Sequence, residues 1–313
     1  MHSMTRNGFF GLILTAALFV SAAAAGETYE LKYKFAEGDV LRSKVTHLVN
    51  VTTKIQGNQQ TAQSRTASTK NWKVEKIDDD GNITLVHSIE DLNMWNKVTD
   101  RPEQVFDSTS PEPPAPIFER AAKSVGVPLS RFTISKNGFL QDREELMESA
   151  HAPFNQVTVV LPAEPVEIGA KWDSPTDVQI RTSKQQLKKV KTRQLFTLES
   201  VSNGVATIDM KTQILTPVEN PEIKVELIQQ LANGKIKFDI NAGRIIRQDL
   251  DMDETVIGFQ GEASMMKFLG RMQEELLTEP LQTATAPTPA KEKVRTAGVP
   301  TPAKRPEDET ETE

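Results

Sequence analysis

The stretch Trp72–Ile89, WKVEKIDDDGNITLVHSI, decides the fold class because it reads as strand, acidic turn, strand. Its Asp78-Asp79-Asp80 run poses a choice between a cation site and a turn. A calcium loop fails on spacing: with Gly81 at the sixth position of an EF-hand loop, Lys76 would take the first ligand position and His87 the last. The same strand–Gly turn–strand pattern recurs as LESVSNGVATIDM, Leu198–Met210, where Ser202-Asn203-Gly204 replaces the acidic run. The shared feature is the glycine, which reaches positive φ at little cost. The triple-Asp segment is therefore read as a turn.

Two further pairs keep the same order along the chain. EGDVLRS around Gly38 is echoed by EIGAKWDS around Gly169, and FTISKNGFL (Phe132–Leu140) by FDINAGRII (Phe238–Ile246). Three signatures in one order imply a duplicated β-unit. Around them the alternation is strict: Tyr29, Leu31, Tyr33 and Phe35 share one face, and Leu41, Val45, Val49, Val51 and Ile55 another. Period two over such lengths predicts antiparallel strands with one solvated side. The expected fold class is mainly β (α+β): duplicated antiparallel units forming curved sheets or a half-barrel, with a few packed helices.

The helices are expected at three places. PIFERAAKSVG follows a Pro-rich loop, with Pro116 in its first turn and Gly126 at its end. Asp142 and Glu145 are spaced as a capping box ahead of Leu146, Met147 and Ala150. EASMMKFLGRMQEELL places Met265, Leu269, Met272 and Leu276 on one helical face.

The ends of the chain read differently. Arg6, the apolar run Gly8–Val20, and Ala23 and Ala25 before Gly26 have the layout of a secretory signal peptide over residues 1–25. The apolar run is shorter than the roughly 20 residues of a membrane span, and no cysteine stands at the cleavage site for lipid attachment. Residues 278–313 are rich in Pro, Thr, Ala and Glu and repeat PTPAK at Pro287 and Pro300, a composition read as a disordered tail. Between them the expected organisation is a first β-rich repeat with two short helices over 26–156. A second over 157–277 ends on the amphipathic helix. The protein is expected to be exported, periplasmic or secreted, and soluble, without stable membrane insertion after cleavage.

Composition narrows the chemistry. The 313 residues contain no cysteine, which removes disulfides, thiolate nucleophiles and Cys-based zinc sites. The net charge of −6 argues against a nucleic-acid partner, and the 6% of aromatic residues against an extended stacking platform. His47 and His87 fall on strands without ligand spacing, and His151 at an expected helix end. Asp249, Asp251 and Asp253 share a strand face, the pattern of a solvated surface. No nucleophile elbow, Walker loop or H-E-x-x-H motif occurs. Neither a metal nor a cofactor is expected.

One basic stretch stands out in this acidic chain. RTSKQQLKKVKTR holds Arg181, Lys184, Lys188, Lys189, Lys191 and Arg193 without an acid, and KIQGNQQTAQSRTASTKNWK is its acid-free counterpart in the first half. The two arms can contact an anionic envelope surface, or their lysines can protect an exposed sheet edge from aggregation.

Phe35–Asp39 (FAEGD), the segment containing Leu161, Pro162, Pro165, Val166, Gly169 and Trp172, and the FDINAGRI pair resemble uncharacterised exported β-rich proteins of bacterial envelopes, a family of unknown function. The likeness covers roughly Tyr29 to Phe259 and implies no known activity. The F-D-x-x-x-G-R element at Phe238–Arg244 is more loosely similar to the lipoprotein-carrier half-barrel, in which a curved sheet wraps helices around an apolar cavity. Three functions follow as expectations. The first is a non-enzymatic exported binding or carrier-like protein, with an apolar ligand or envelope component as partner. The second is a structural or adaptor protein using the basic hairpins and the tail. The third is a hydrolase whose acid–base pair leaves no local motif.

Overall fold

The computed structural model describes residues 26–147, 158–181 and 187–278, without the side chain of Arg181. The expected signal peptide, the tail beyond Thr278, Lys184, Ala150 and His151 lie outside the described residues.

The first half contributes the strands β1 (Thr28–Tyr29), β2 (Val40–Ile55), β3 (Asn58–Ile77), β4 (Ile83–Val98), β5 (Gln104–Asp107), β6 (Pro128–Ile134) and β7 (Leu140–Glu145). The second contributes β8 (Val166–Glu167), β9 (Lys171–Arg181), β10 (Leu187–Ser202), β11 (Val205–Ile214), β12 (Asn233–Asp239), β13 (Arg244–Ile257) and β14 (Ser264–Leu276). Two helices interrupt them, α1 (Glu119–Lys123) and α2 (Pro221–Leu227). One curved antiparallel sheet runs β7-β6-β4-β3-β2-β14-β13-β12-β11-β10-β9, with β5 added to the free end of β4, and it does not close into a barrel. The mainly β fold class is as the alternation requires. The first half sets five strands before its helix and two after it, and the second sets four before and three after.

The turns explain themselves. Asp78 Oδ1 accepts from the amides of Asp80 (3.0 Å) and Asn82 (2.8 Å), and its Oδ2 accepts from Asn82 Nδ2 (2.9 Å). These bonds, led by the Asn82 side chain, hold the Asp78 carboxyl below its ordinary range. Gly81 adopts φ +80° beside it, so the acidic run closes a hairpin.

Successive strand residues alternate between two faces. One face carries the cores: Phe196, Leu198, Ile208, Ile236, Phe238, Leu250 and Phe268 in the largest, and Trp72, Val74, Leu85 and Phe132 in a second. The segments entering each half lie on this face too. Tyr33 Oη donates to Val159 O (2.8 Å) and accepts from Val159 N (2.9 Å). Burial raises the Tyr33 phenol well above its usual range, so it stays a donor. Each entering segment also reaches a turn of the other half: Lys34 N donates to Gly243 O (3.0 Å), between β12 and β13, and Leu161 N to Asn137 O (2.8 Å), between β6 and β7.

Two expected helices are strands. Ser264–Leu276 is β14, paired with β13 on one side and β2 on the other. Its sequence also fits period two, burying Phe268, Gly270, Met272 and Glu274 in alternation. Gly270 weakens a helix by about 1 kcal/mol, whereas here it leaves room for its neighbours. A Cβ at this position would lie 2.8 Å from Met252 Cε and 2.9 Å from Phe268 Cε1. The second correction concerns Asp142 and Glu145, which belong to the exposed strand β7 rather than a capping box. Pairing with β6 and the Arg143–Glu145 ion pair replace the expected helical bonds, and the amides of Leu146 and Met147 both donate to Leu129 O.

The helix after Pro116 forms, as a single 3-10 turn (Pro116–Phe118) leading into α1, and it buries Phe118 against Leu92 and Phe106. Helix α2 was not expected. Asn220 caps it by accepting from Glu222 N (2.8 Å), Pro221 opens it, and Ile223 and Leu227 bury one turn apart.

Candidate functional site

The helix-bearing face carries the cores. A crevice of about 390 Å³ remains beside α2, between Val225 and Ile228 on one side and Val51, Met266 and Phe268 on the other. It is the nearest feature to the apolar, helix-covered cavity that the half-barrel likeness implies, and Glu226 and Gln229 stand exposed at its rim.

The opposite face of the sheet holds a larger space, an open groove of about 1120 Å³. Strand register builds it. Val105, Trp95, Arg65, Leu48, Arg271 and Asp251 are successive cross-strand partners on β5, β4, β3, β2, β14 and β13. At about 4.8 Å per strand this row runs for about 24 Å, perpendicular to the strands. A parallel row adds Gln63, Asn50, Leu269 and Asp253, and Pro113 and Pro114, from the loop after β5, also line the groove.

Elsewhere this face is a lattice of ion pairs, including Arg42–Glu90 (2.6 Å), Lys235–Glu199 (2.6 Å) and Arg247–Asp249 (2.6 Å). Within the groove the pattern breaks. Leu48 is 42% exposed, Leu269 37% and Val105 70%, and Trp95 lies among them with its Nε1 donating to Glu103 (3.2 Å). Arg271 is held by Asp251 (2.8 Å), while Arg65 donates to Asn93 Oδ1 (3.0 Å). The groove thus offers apolar surface, an indole and hydrogen-bonding groups on a rigid floor.

The three aspartates of β13 divide. Asp249 is pinned by Arg247 and Gln273, and the Arg247 hydrogen bond lowers its pKa; Asp251 pairs with Arg271; Asp253 faces the groove. Of the two described histidines, His87 is buried and His47 half-buried. His47 pairs in register with Met272 and Thr66, and burial lowers its pKa. His87 stacks on Trp72 at 4.4 Å, and burial, then Lys70 and Arg143, push it down to about 3. Among the described residues no cluster of three His, Asp or Glu suits a metal ion.

The basic stretch begins at Arg181, the end of the edge strand β9, and its Lys188–Arg193 part lies on β10, one strand in; Pro175 of β9 has no N–H to offer a further strand. Lys189, Lys191 and Arg193 share a face and Lys188 takes the other. The partner strand supplies the acids that the stretch lacks: Lys189 pairs with Asp177 (2.6 Å) and Arg193 approaches Asp173 (4.0 Å). The side chain of Arg181 and all of Lys184 lie outside the described residues. The groove and the basic stretch are separate surfaces. Sequence reading missed the groove because its residues come from six strands, although exposed Leu48 and Leu269 on a polar face were a visible signal.

Among the described residues no helix is long and apolar enough to cross a membrane. No protein of curated function matches the chain. Among solved structures, one described as lipid–protein interactions in lipovitellin aligns with 78% of this chain at 12% identity and a TM-score of 0.43. This chain spans 25% of that one. An outer membrane channel from Pseudomonas putida F1 aligns with 78% of this chain and 97% of its own (8% identity, TM-score 0.23). A DUF1329 family protein from Desulfovibrio piger ATCC 29098 aligns with 80% and 88% (10% identity, TM-score 0.15). Residues 144–245 match the model of a family of unknown function, DUF6263, so the resemblance to an uncharacterised family read from the sequence holds over that stretch.

Proposed function

We propose that this is a non-enzymatic binding protein of the cell envelope that holds an extended, partly apolar ligand across the strands of its exposed sheet face. One observation carries the reading: exposed Leu48, Leu269 and Val105 gather with Trp95 in a single groove, on a face otherwise covered by ion pairs. Apolar surface in an open groove is stabilised by whatever covers it, at roughly 25 cal/mol per Å². The ligand is bound on the open face, unlike the enclosed cargo of a carrier, and the export-like layout of residues 1–25 supports an envelope location.

The test is native mass spectrometry of the protein purified from its own compartment, before and after organic extraction. A retained mass that is lost on extraction, and absent from the Leu48→Asp/Leu269→Asp variant, is the expected result. A bare protein mass, or a retained mass indifferent to the two substitutions, overturns the proposal.

A further inference from the structure

The groove has a charge imbalance that selects among ligands. Four carboxylates line it, those of Asp107, Glu112, Asp251 and Asp253, against the guanidinium groups of Arg65 and Arg271. Arg271 is neutralised by Asp251. Asp107 is held by Thr109 and Asn93, neither a cation. Asp253 and Glu112 make no ion pair among the described residues. The carboxylates stand on opposite sides of the groove, Asp253 on β13 and Asp107 on β5 with Glu112 in the loop that follows it, and Leu48 and Leu269 lie on strands between.

Resting on the binding reading above, we infer that the ligand is an extended polypeptide segment that carries apolar side chains flanked by lysine or arginine. Three features of the groove support this class. The length of about 24 Å accommodates about seven extended residues at about 3.4 Å each. Asn50 and Gln63 present amides that both donate and accept, as peptide backbone requires. Trp95, Pro113 and Pro114 all line the groove and supply rigid apolar surface for apolar side chains. Acidic groups on both sides attract cations and repel anions, which favours cationic ligands and speeds their docking.

Three eight-residue synthetic peptides test it with the full chain, alternating leucine with lysine, glutamate or serine, titrated by calorimetry at low and high salt. The lysine peptide is expected to bind at least tenfold tighter than the glutamate peptide. Salt, or the Glu112→Gln/Asp253→Asn variant, should shrink that ratio several-fold without abolishing binding of the serine peptide. Equal binding of the lysine and glutamate peptides, or a ratio that ignores the variant, overturns the inference. If no peptide binds while the Leu48-dependent retained mass persists, the peptide class falls and the groove stands. If that mass is absent as well, both fall.

Discussion

Lys70 Nζ and Glu274 Oε2, 204 residues apart in the chain, meet at 2.9 Å with both side chains buried. Lys70 lies on β3 and Glu274 on β14, so the bond spans β2, and the ammonium also stands 5.5 Å from the centre of the Trp72 ring. It ties the last strand of the chain to the first hairpin.

Breaking such a pair strands a charge in the interior. Lys70→Met is expected to cost about 3–5 kcal/mol, whereas Lys70→Met with Glu274→Leu should be close to neutral, because desolvation of both ions is relieved together. Urea denaturation of the two singles and the double, as a thermodynamic cycle, measures the coupling.

The second prediction concerns acid. His87 is 4% exposed, its ring nitrogens have no hydrogen-bond partner among the described residues, and its folded pKa is about 3 against an ordinary 6.5. Between those values the unfolded chain binds a proton that the native state refuses. This contribution is therefore complete above pH 6.5 and declines as pH falls toward 3. At about 1.4 kcal/mol per unit, the loss at pH 5 is about 2 kcal/mol. Denaturation of the wild type and His87→Leu at pH 7.5 and pH 5 checks this. The pH-dependent loss should be smaller in the variant by that amount, and equal losses would refute the assignment.

Two glycines of identical φ separate strain from crowding. Gly57 and Gly138 both sit at +88°. A Cβ at Gly57 meets nothing within 4 Å, while at Gly138 it would lie 2.6 Å from Val159 O and 2.7 Å from Tyr33 Cε2. Gly57→Ala should cost only the left-handed backbone term of about 1–2 kcal/mol. Gly138→Ala adds overpacking and should cost about 3–5 kcal/mol. Thermal melts of both variants decide whether the entering segments are seated as tightly as described.

Strands whose alternation is uninterrupted, such as β2, were legible because a single period governs them. β14 was misread because its residues satisfy both periods, and only the two open ladders beside it, on β13 and β2, favour the strand. Asn220-Pro221 with Ile223 and Leu227 carried a legible signal for α2 that the strand-dominated context obscured. The Asp78 turn followed from the failed ligand spacing and from the matching turn at Ser202-Asn203-Gly204. The groove was not legible, because the neighbourhood of Trp95, Arg65, Leu48 and Arg271 depends on register between strands, which no local pattern encodes.

The most direct measurement places a photoreactive benzoylphenylalanine at Leu48 or at Ile214 in the full-length protein and irradiates it in its native compartment. The two positions are similarly exposed, at 42% and 38%, and only Leu48 lines the groove. The groove account predicts a discrete adduct at Leu48 that the leucine–lysine peptide competes away, and none at Ile214. Equal labelling at both positions, or labelling at Ile214 alone, would contradict it.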